Sequence, residues 1–233
     1  MGRSQFVSRY SVFVYISCRF RPQLWIVASR LDICFQEYFS IDFNDDALFQ
    51  DGETPLHTAA SRGHLDCVNC LIEAKAELDA PTTLSAGGNT PLHLAIARNY
   101  TNVAMVLLHA GADFDLANSA GYTPIHLASR EGLLGLAQSL CAFGCIVDVA
   151  ASEGVYPIHL AAKNGHTEVV RCLCLAGCRI DVKNKDGVTP ELAALAQGHG
   201  QISELLKRLK RVSDCILICI RECNLKPIFF IVL

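Results

Sequence analysis

The sequence predicts an all-α solenoid in which short helix-turn-helix units stack on one another. Three observations favour this fold class: a Thr-Pro-(Leu/Ile)-His pattern recurs at a nearly fixed interval, a glycine precedes each copy by two residues, and segments rich in small and apolar residues follow each copy. A unit of this size cannot bury its apolar face alone, so it is stable only when it packs against further copies.

The pattern occurs in four copies and in a weaker fifth. The copies begin at Thr54, Thr90, Thr123, Tyr156 and Thr189, so their starts lie 36, 33, 33 and 33 residues apart. The preceding glycines are Gly52, Gly88, Gly121, Gly154 and Gly187. We therefore predict five repeats that start near residues 52, 88, 121, 154 and 187.

Each position of the unit has a physical reason. The leading glycine supplies the positive φ that a tight turn requires. Thr54 can cap the first helix by accepting a backbone N–H bond, and Pro55 fits the first helical position because its missing N–H is not needed there. Alanines such as Ala59 and Ala60 let neighbouring helices approach closely. A second glycine, such as Gly63, ends this helix in the left-handed conformation, and a second apolar helix follows.

These residues and their spacing resemble the ankyrin repeat family. The resemblance extends from about Gly52 to Arg211, and four of the five copies carry Pro-(Leu/Ile)-His. It implies a curved stack of helix pairs with short β-hairpin or loop fingers, in a family whose members bind other proteins and rarely do chemistry within the stack. It also implies that each motif imidazole hydrogen-bonds its capping threonine and ties adjacent repeats together. The residues concerned are Thr54, His57, Thr90, His93, Thr123, His126 and His159.

Three copies depart from the pattern. The segment Pro81–Gly87 contains three extra residues, which we expect to lengthen one finger. Tyr156 replaces the capping threonine of the fourth copy, so that helix start is expected to be weaker by about 0.5–2 kcal/mol. The fifth copy lacks the histidine and ends in the basic segment Lys207–Arg211, which is typical of a polar terminal capping repeat.

The two ends of the chain carry no repeat signature. We predict a poorly defined segment over residues 1–40, an ankyrin repeat domain over 41–212 and an apolar tail over 213–233. The segment Leu24–Phe39 is interpreted as an eroded sixth repeat or a helical cap.

The tail begins with cysteines at every fourth position, Cys215, Cys219 and Cys223, which form one stripe of a short helix. An apolar run over 228–233 follows Pro227, and we interpret it as a loosely packed or disordered tail. Packing on the last repeat, contact with a partner, and a truncated or alternatively spliced product are the alternatives.

Composition and charge exclude several classes of protein. The 233 residues are 51% hydrophobic and 18% charged, so the chain can bury a core and is not disordered throughout. Its net charge of -3 is not that of a polybasic nucleic-acid binder. Twelve cysteines are too few for a disulfide-rich secreted scaffold of this length, which favours a reduced protein in the cytoplasm or the nucleus. The apolar run Ser11–Cys18 is far shorter than the roughly 20 residues of a membrane span, so we expect none.

The sequence carries no pattern typical of a catalytic, metal or cofactor site. The motif histidines lie a full repeat apart, and packed helices are about 8–10 Å apart, whereas zinc ligands lie about 2.0–2.3 Å from one ion. Cys67-x-x-Cys70 looks like half of a zinc knuckle, but no second pair follows at the required spacing. Phosphate-binding glycine loops, Gly-x-Ser-x-Gly and His-Glu-x-x-His are absent. We therefore expect no enzymatic activity, no metal and no cofactor.

A partner-binding surface is predicted from the geometry of the repeat. In ankyrin-like stacks, the concave face consists of the fingers and of the exposed residues near the end of the first helix. Four successive repeats place a cation at that helix position, and a tyrosine follows one turn glycine. An aromatic side chain beside arginines is typical of residues that carry binding energy at interfaces. The predicted site comprises Arg62, Arg98, Tyr122, Arg130 and Lys163, and a solvated charged face is the alternative interpretation.

The expected function is a non-enzymatic protein–protein interaction module, an adaptor or scaffold that presents this face to an acidic or phosphorylated peptide. The alternative function is a targeting or regulatory fragment of a larger enzyme complex, such as a ubiquitin ligase or a phosphatase. Nucleic-acid binding is disfavoured because the net charge is negative and aromatic residues are not interleaved with the basic ones.

Overall fold

The structure, a computed structural model, describes residues 52–223, and its description of side chains ends at Arg211. The described residues form ten helices and no strand. The prediction of an all-α fold of stacked helix pairs is confirmed. The eroded repeat predicted at Leu24–Phe39 and the apolar run at 228–233 lie outside the described residues.

The chain divides into two compact units, with the boundary between Ser119 and Ala120. The described part of the first unit contains two helix pairs. The first pair is α1 (Pro55–Arg62) and α2 (Leu65–Glu73), and the second is α3 (Pro91–Ala97) and α4 (Thr101–His109). Helix α1 packs against α3 and α2 packs against α4, so equivalent helices of the two repeats are neighbours.

The described part of the second unit contains three helix pairs. These are α5 (Pro124–Glu131) with α6 (Leu134–Phe143), α7 (Pro157–Lys163) with α8 (Thr167–Leu175), and α9 (Pro190–Ala196) with α10 (Gly200–Cys223). Helix α7 packs against both α5 and α9, and α8 packs against both α6 and α10. The first helices thus form one layer of this unit, and the second helices form another.

Helix α1 shows why the repeated residues produce these elements. Thr54 has extended backbone angles and its side chain accepts a hydrogen bond from the backbone N–H of His57, so the helix begins directly after it. Gly63 ends the helix with a φ of 75°. In the second repeat Asn99 adopts the same left-handed conformation with a φ of 62°, which asparagine tolerates better than most residues.

The core lies where helices of neighbouring repeats meet. In the four copies with Pro-(Leu/Ile)-His, the apolar residue after the helix-starting proline is completely or almost completely buried, as are the alanines one turn later. In α1 these positions are Leu56, Ala59 and Ala60, and in α7 they are Ile158, Ala161 and Ala162. Alanine methyl groups at the contact let the helix backbones approach closely, so the repeats pack with little space between them.

The fingers between repeats are turns, and none of the described residues forms a strand. The first, third and fourth fingers each close with a hairpin-like backbone bond, such as Ala151 N–H to Val155 C=O at 2.9 Å. Within the second unit, Ser152 N–H also donates to Ala120 C=O at 3.1 Å, which links successive fingers. Single bonds of this kind are too few for the paired ladder of a β-hairpin, so the fingers are of the loop type.

The three extra residues of the first finger form additional turns at its tip. The Ala86 and Gly88 N–H groups both donate to the Thr83 carbonyl, each at 3.0 Å. Leu84 lies at this tip with 84% of its side-chain surface exposed. The insertion therefore adds a compact, exposed turn.

Helix α10 continues well beyond the last repeat signature. It runs from Gly200 to Cys223, so the boundary that we placed at residue 212 and the cysteine stripe both fall within one helix. Among the residues that the structure describes, no helix combines the length and the apolar character that crossing a bilayer demands.

Candidate partner-binding site

The motif histidine of the first repeat joins two repeats through its two ring nitrogens. Nδ1 of His57 accepts the Thr54 backbone N–H at 3.0 Å and lies 2.9 Å from the Thr54 hydroxyl. Its Nε2 lies 3.0 Å from the backbone carbonyl of Asn89 in the next repeat. Because Nδ1 accepts an N–H, the proton must be on Nε2, and the ring donates it to that carbonyl.

The same arrangement recurs in the second unit. Nδ1 of His126 accepts the Thr123 N–H at 3.2 Å, and its Nε2 donates to the Val155 carbonyl at 3.1 Å. His159 repeats it with the carbonyl of Val188 at 3.0 Å, although Tyr156 supplies only its backbone N–H and no side-chain cap. The accepting carbonyl belongs each time to the residue that follows a turn glycine. The remaining pair, Thr90 and His93, has its hydroxyl and Nδ1 2.8 Å apart.

Burial of these imidazoles favours their neutral form. Burial lowers the pKa of His57 and of His159. The backbone carbonyl that contacts the Nε2 of each ring raises the pKa, but by less than burial lowers it. A protonated ring would have no acceptor for the Thr54 or Tyr156 N–H. These histidines are therefore neutral hydrogen-bonding links.

Acidification should destabilise the fold in the range where histidine titrates. A lowered folded-state pKa means that the unfolded chain binds more protons below its own histidine pKa of about 6.5. Stability should be nearly constant between that pH and about pH 7.5, and it should fall as the pH decreases through the histidine pKa. Carboxylates stay largely ionised down to about pH 5.5, so protonation of the histidines accounts for most of the stability lost between about pH 7.5 and about pH 5.5. Urea unfolding at about pH 7.5 and about pH 5.5 measures the loss.

The variant His159→Phe provides the control for this pH dependence. It removes one titrating imidazole, so it should be less stable at neutral pH and lose less additional stability on acidification than the unaltered chain. An equal loss in both proteins would contradict the assignment of the effect to the buried rings.

A second contact between repeats was missed in the sequence. The ring of His166 packs against Gly132 of the preceding repeat, where an added Cβ would lie 2.4 Å from its Nδ1. The His166 Nε2 donates to the Arg130 carbonyl at 3.0 Å, and the Asn164 side-chain amide donates to the same oxygen at 2.8 Å. Tyr100 covers Gly63 and His199 covers Gly165 in the same way. The signal was present, because a ring follows the second glycine or its asparagine substitute in four of the five copies.

In the first unit, two of the predicted binding residues lie at the ends of two helices that pack against each other. Arg62 is the last residue of α1, and Arg98 directly follows α3. Both residues are exposed. The Arg98 side chain makes no ion pair with any residue of the described segment 52–211.

In the second unit, the three remaining predicted residues lie on or beside α5 and α7. Arg130 lies near the end of α5 and forms an ion pair with Glu131, with 2.8 Å between Nε and Oε1. Lys163 ends α7, is exposed, and has no ion pair within residues 52–211. The half-buried Tyr122 packs edge-on against His126, with ring centroids 5.6 Å apart. Arg130 is therefore partly neutralised, and one edge of Tyr122 is in contact with the motif histidine His126.

The described residues do not form a group of potential metal ligands. Across residues 52–211, no group of three or more histidine, cysteine, aspartate or glutamate side chains could hold an ion. Of the half-knuckle pair, Cys67 is buried and Cys70 half-buried on α2.

Comparison with known protein families agrees with this geometry. A family model described as ankyrin repeats (3 copies) matches residues 24–118, 85–152 and 125–215. A search of curated proteins finds no match. Ankyrin repeats are generally protein–protein interaction modules and are typically non-catalytic. Because the matched ranges together span most of the sequence, and helix pairs with Thr-Pro-x-His capping recur through both units, the chain belongs to the ankyrin repeat family.

Proposed function

We propose that this chain is a non-enzymatic adaptor or scaffold of the cytoplasm or nucleus, and that its repeats bind an acidic or phosphorylated segment of a partner protein. One observation carries the proposal: each unit places two cations at equivalent positions of neighbouring helices. These pairs are Arg62 with Arg98, and Arg130 with Lys163. A pair of cations in each unit is better suited to bind a segment with several acidic residues than a single surface charge would be.

The spacing of the cations suits an extended peptide. Packed helices have axes about 8–10 Å apart, so equivalent residues on α5 and α7 are separated by a similar distance. An extended chain advances at most about 3.3–3.6 Å per residue. Acidic side chains three residues apart would therefore face successive cations.

The backbone that carries these cations is held in place before a partner binds. The Arg130 carbonyl accepts hydrogen bonds from both Asn164 and His166 of the next repeat. Such preorganisation lowers the entropy lost on binding. Each exposed ion pair contributes only about 0.2–1 kcal/mol, so affinity should depend on several pairs together and should weaken in salt.

Reversing the two cations that have no ion pair within residues 52–211 should abolish most of this binding. The double variant Arg98→Glu/Lys163→Glu changes one site in each unit. We expect its affinity for an acidic peptide to fall by about tenfold or more, with a shallower salt dependence. The probe is a fluorescent peptide of Glu-Gly-Gly repeats, and fluorescence anisotropy at low and physiological salt measures its binding.

The matched control makes the same change in charge elsewhere. The variant Lys75→Glu/Lys210→Glu reverses one exposed lysine after α2 and one on α10, and it should bind the peptide as the unaltered chain does. A neutral Gln-Gly-Gly peptide should not bind. Equal binding of the two peptides, or equal losses in the two double variants, would refute the proposed site.

A further inference from the structure

Five cysteines of the second unit lie on or just after two helices that pack against each other. Cys141 is on α6, Cys172 and Cys174 are on α8, and Cys145 and Cys178 follow the ends of α6 and α8. All five are reduced cysteines. The structure brings thiols of this group within hydrogen-bonding distance of one another.

Two pairs of cysteines occupy equivalent positions of successive repeats, so their thiols can be compared directly. Cys141 hydrogen-bonds to Cys145, and Cys174 hydrogen-bonds to Cys178. The second pair is brought together by the turn that ends α8. Gly177 has a φ of 88°, and the Cys178 N–H donates back to the Leu173 carbonyl at 3.1 Å.

The two thiols of the second pair differ in access and in charge preference. Cys174 is half-buried, whereas only 9% of the Cys178 side chain is exposed. Hydrogen bonding from the Cys178 thiol lowers the pKa of Cys174. The same hydrogen bond, burial and the nearby Asp148 carboxylate raise the pKa of Cys178. The hydrogen bond therefore favours the thiolate on Cys174, which is also the more accessible thiol of the pair.

The neighbouring thiols lack this combination. The hydrogen bond with Cys145, together with burial, raises the pKa of Cys141. Burial raises the pKa of Cys172 to about 11. Cys145 itself is buried, with 8% of its side chain exposed. Oxidation by peroxide requires both a thiolate and access to it.

We propose that Cys174 and Cys178 form a peroxide-reactive dithiol, in which Cys174 is the nucleophile and Cys178 the resolving thiol. No metal or cofactor is needed, and the co-reactant is hydrogen peroxide or an organic hydroperoxide. The product is a reversible disulfide across the turn that ends α8.

The reaction balances in two steps. With hydrogen peroxide, the Cys174 thiolate attacks one oxygen, so an S–O bond forms, the O–O bond breaks, and the leaving hydroxide takes up a proton from solvent to become water. An organic hydroperoxide releases an alcohol in place of this water. The sulfur is thereby oxidised to a sulfenic acid while the peroxide is reduced. The Cys178 sulfur then attacks the sulfenic sulfur, so an S–S bond forms and the S–O bond breaks. The departing oxygen takes up the Cys178 proton and leaves as a second water. A thiol reductant reverses the product by exchange.

Peptide-resolved mass spectrometry on the full chain tests the proposal. The reduced protein is treated with one equivalent of hydrogen peroxide, its remaining thiols are alkylated, and it is digested with trypsin. Cleavage after Arg171 and Arg179 releases a peptide that contains Cys172, Cys174 and Cys178. We expect this peptide to lose the mass of two hydrogen atoms, and to do so about tenfold faster than Cys141 and Cys145 are oxidised.

Three single variants identify the reacting thiols. Cys172→Ser should still form the disulfide, and Cys174→Ser should not. Cys178→Ser should stop at a sulfenic acid on Cys174, which dimedone traps. Circular dichroism confirms that each variant is folded. If Cys174→Ser alone failed to fold, trapping in Cys178→Ser would still decide the question.

Other outcomes would overturn the proposal. These are equal oxidation of the Cys141–Cys145 pair, a disulfide that requires Cys172, or the same selectivity in the urea-unfolded chain. The last result would show that the tertiary structure does not select the pair.

Discussion

Replacing Gly121 by alanine is expected to destabilise the fold by about 2–4 kcal/mol, the sum of a backbone and a packing effect. Gly121 has a φ of 76°, which costs an L-residue about 1–2 kcal/mol. A Cβ there would lie 2.8 Å from the Ser152 backbone nitrogen and 3.1 Å from the Ala151 Cα. Because these are backbone atoms, no side chain can rotate away, and the bond from Ser152 N–H to Ala120 C=O would be disturbed.

The equivalent glycines of later repeats provide the control for Gly121. Gly154 has a φ of 69°, and its added Cβ would lie 3.2 Å from the Lys185 nitrogen. Gly187 has a φ of 74°, but nothing within residues 52–211 lies near its added Cβ. In urea unfolding, the loss of unfolding free energy should therefore be largest for Gly121→Ala, smaller for Gly154→Ala and smallest for Gly187→Ala. For Gly187→Ala only the backbone cost of about 1–2 kcal/mol should remain. Equal losses would show that backbone strain alone, without contact between fingers, explains the glycine.

Replacing His126 by phenylalanine should cost about 2–4 kcal/mol of unfolding free energy, although the ring shape is nearly conserved. His126 is fully buried, and its nitrogens bond to Thr123 and to the Val155 carbonyl of the next repeat. Phenylalanine would leave the Thr123 N–H without its ring acceptor. A buried polar group that loses its partner costs about 1–3 kcal/mol. Denaturant titration followed by circular dichroism measures the difference.

The same substitution at an exposed histidine separates this loss from a general effect of the phenylalanine ring. His109 lies at the end of α4, is exposed, and contacts the Met105 carbonyl of its own helix at 2.7 Å. His109→Phe should change stability by no more than about 0.5 kcal/mol. Similar losses at the two positions would contradict the role of the motif imidazole as a link between repeats.

The helix pairs were predictable because the signals that define them are local. A glycine, a capping threonine, a proline and an alanine pair act within one or two helical turns, so a repeated spacing reveals them directly. The extra turn at Leu84 could also be located, because the first repeat interval is longer than the others. That the fingers form turns and not strands could not be predicted from the sequence. Whether short segments pair as strands depends on contacts with neighbouring fingers, which a single repeat does not encode.

The chemistry of the candidate sites depended more strongly on tertiary structure. The sequence identified Arg98, Arg130 and Lys163 as cations near the ends of the first helices of successive repeats. Only the structure shows that Arg130 is paired with Glu131, whereas the other two have no ion pair within residues 52–211. Likewise, Cys141 and Cys174 occupy equivalent positions of successive repeats, although the pKa of Cys141 is raised and that of Cys174 is lowered. Side-chain pairing and burial arise from packing, so equivalent residues can acquire different properties.

By itself, the sequence determined the repeat, its helices and the residues that cap them, because each depends on the intrinsic conformation of a few neighbouring residues. Only the tertiary structure decided which carbonyl accepts a hydrogen bond from each linking histidine, which cations lack an ion pair within the described segment, and which thiols hydrogen-bond to each other. Those properties depend on distances between atoms far apart in the chain, and packing sets such distances.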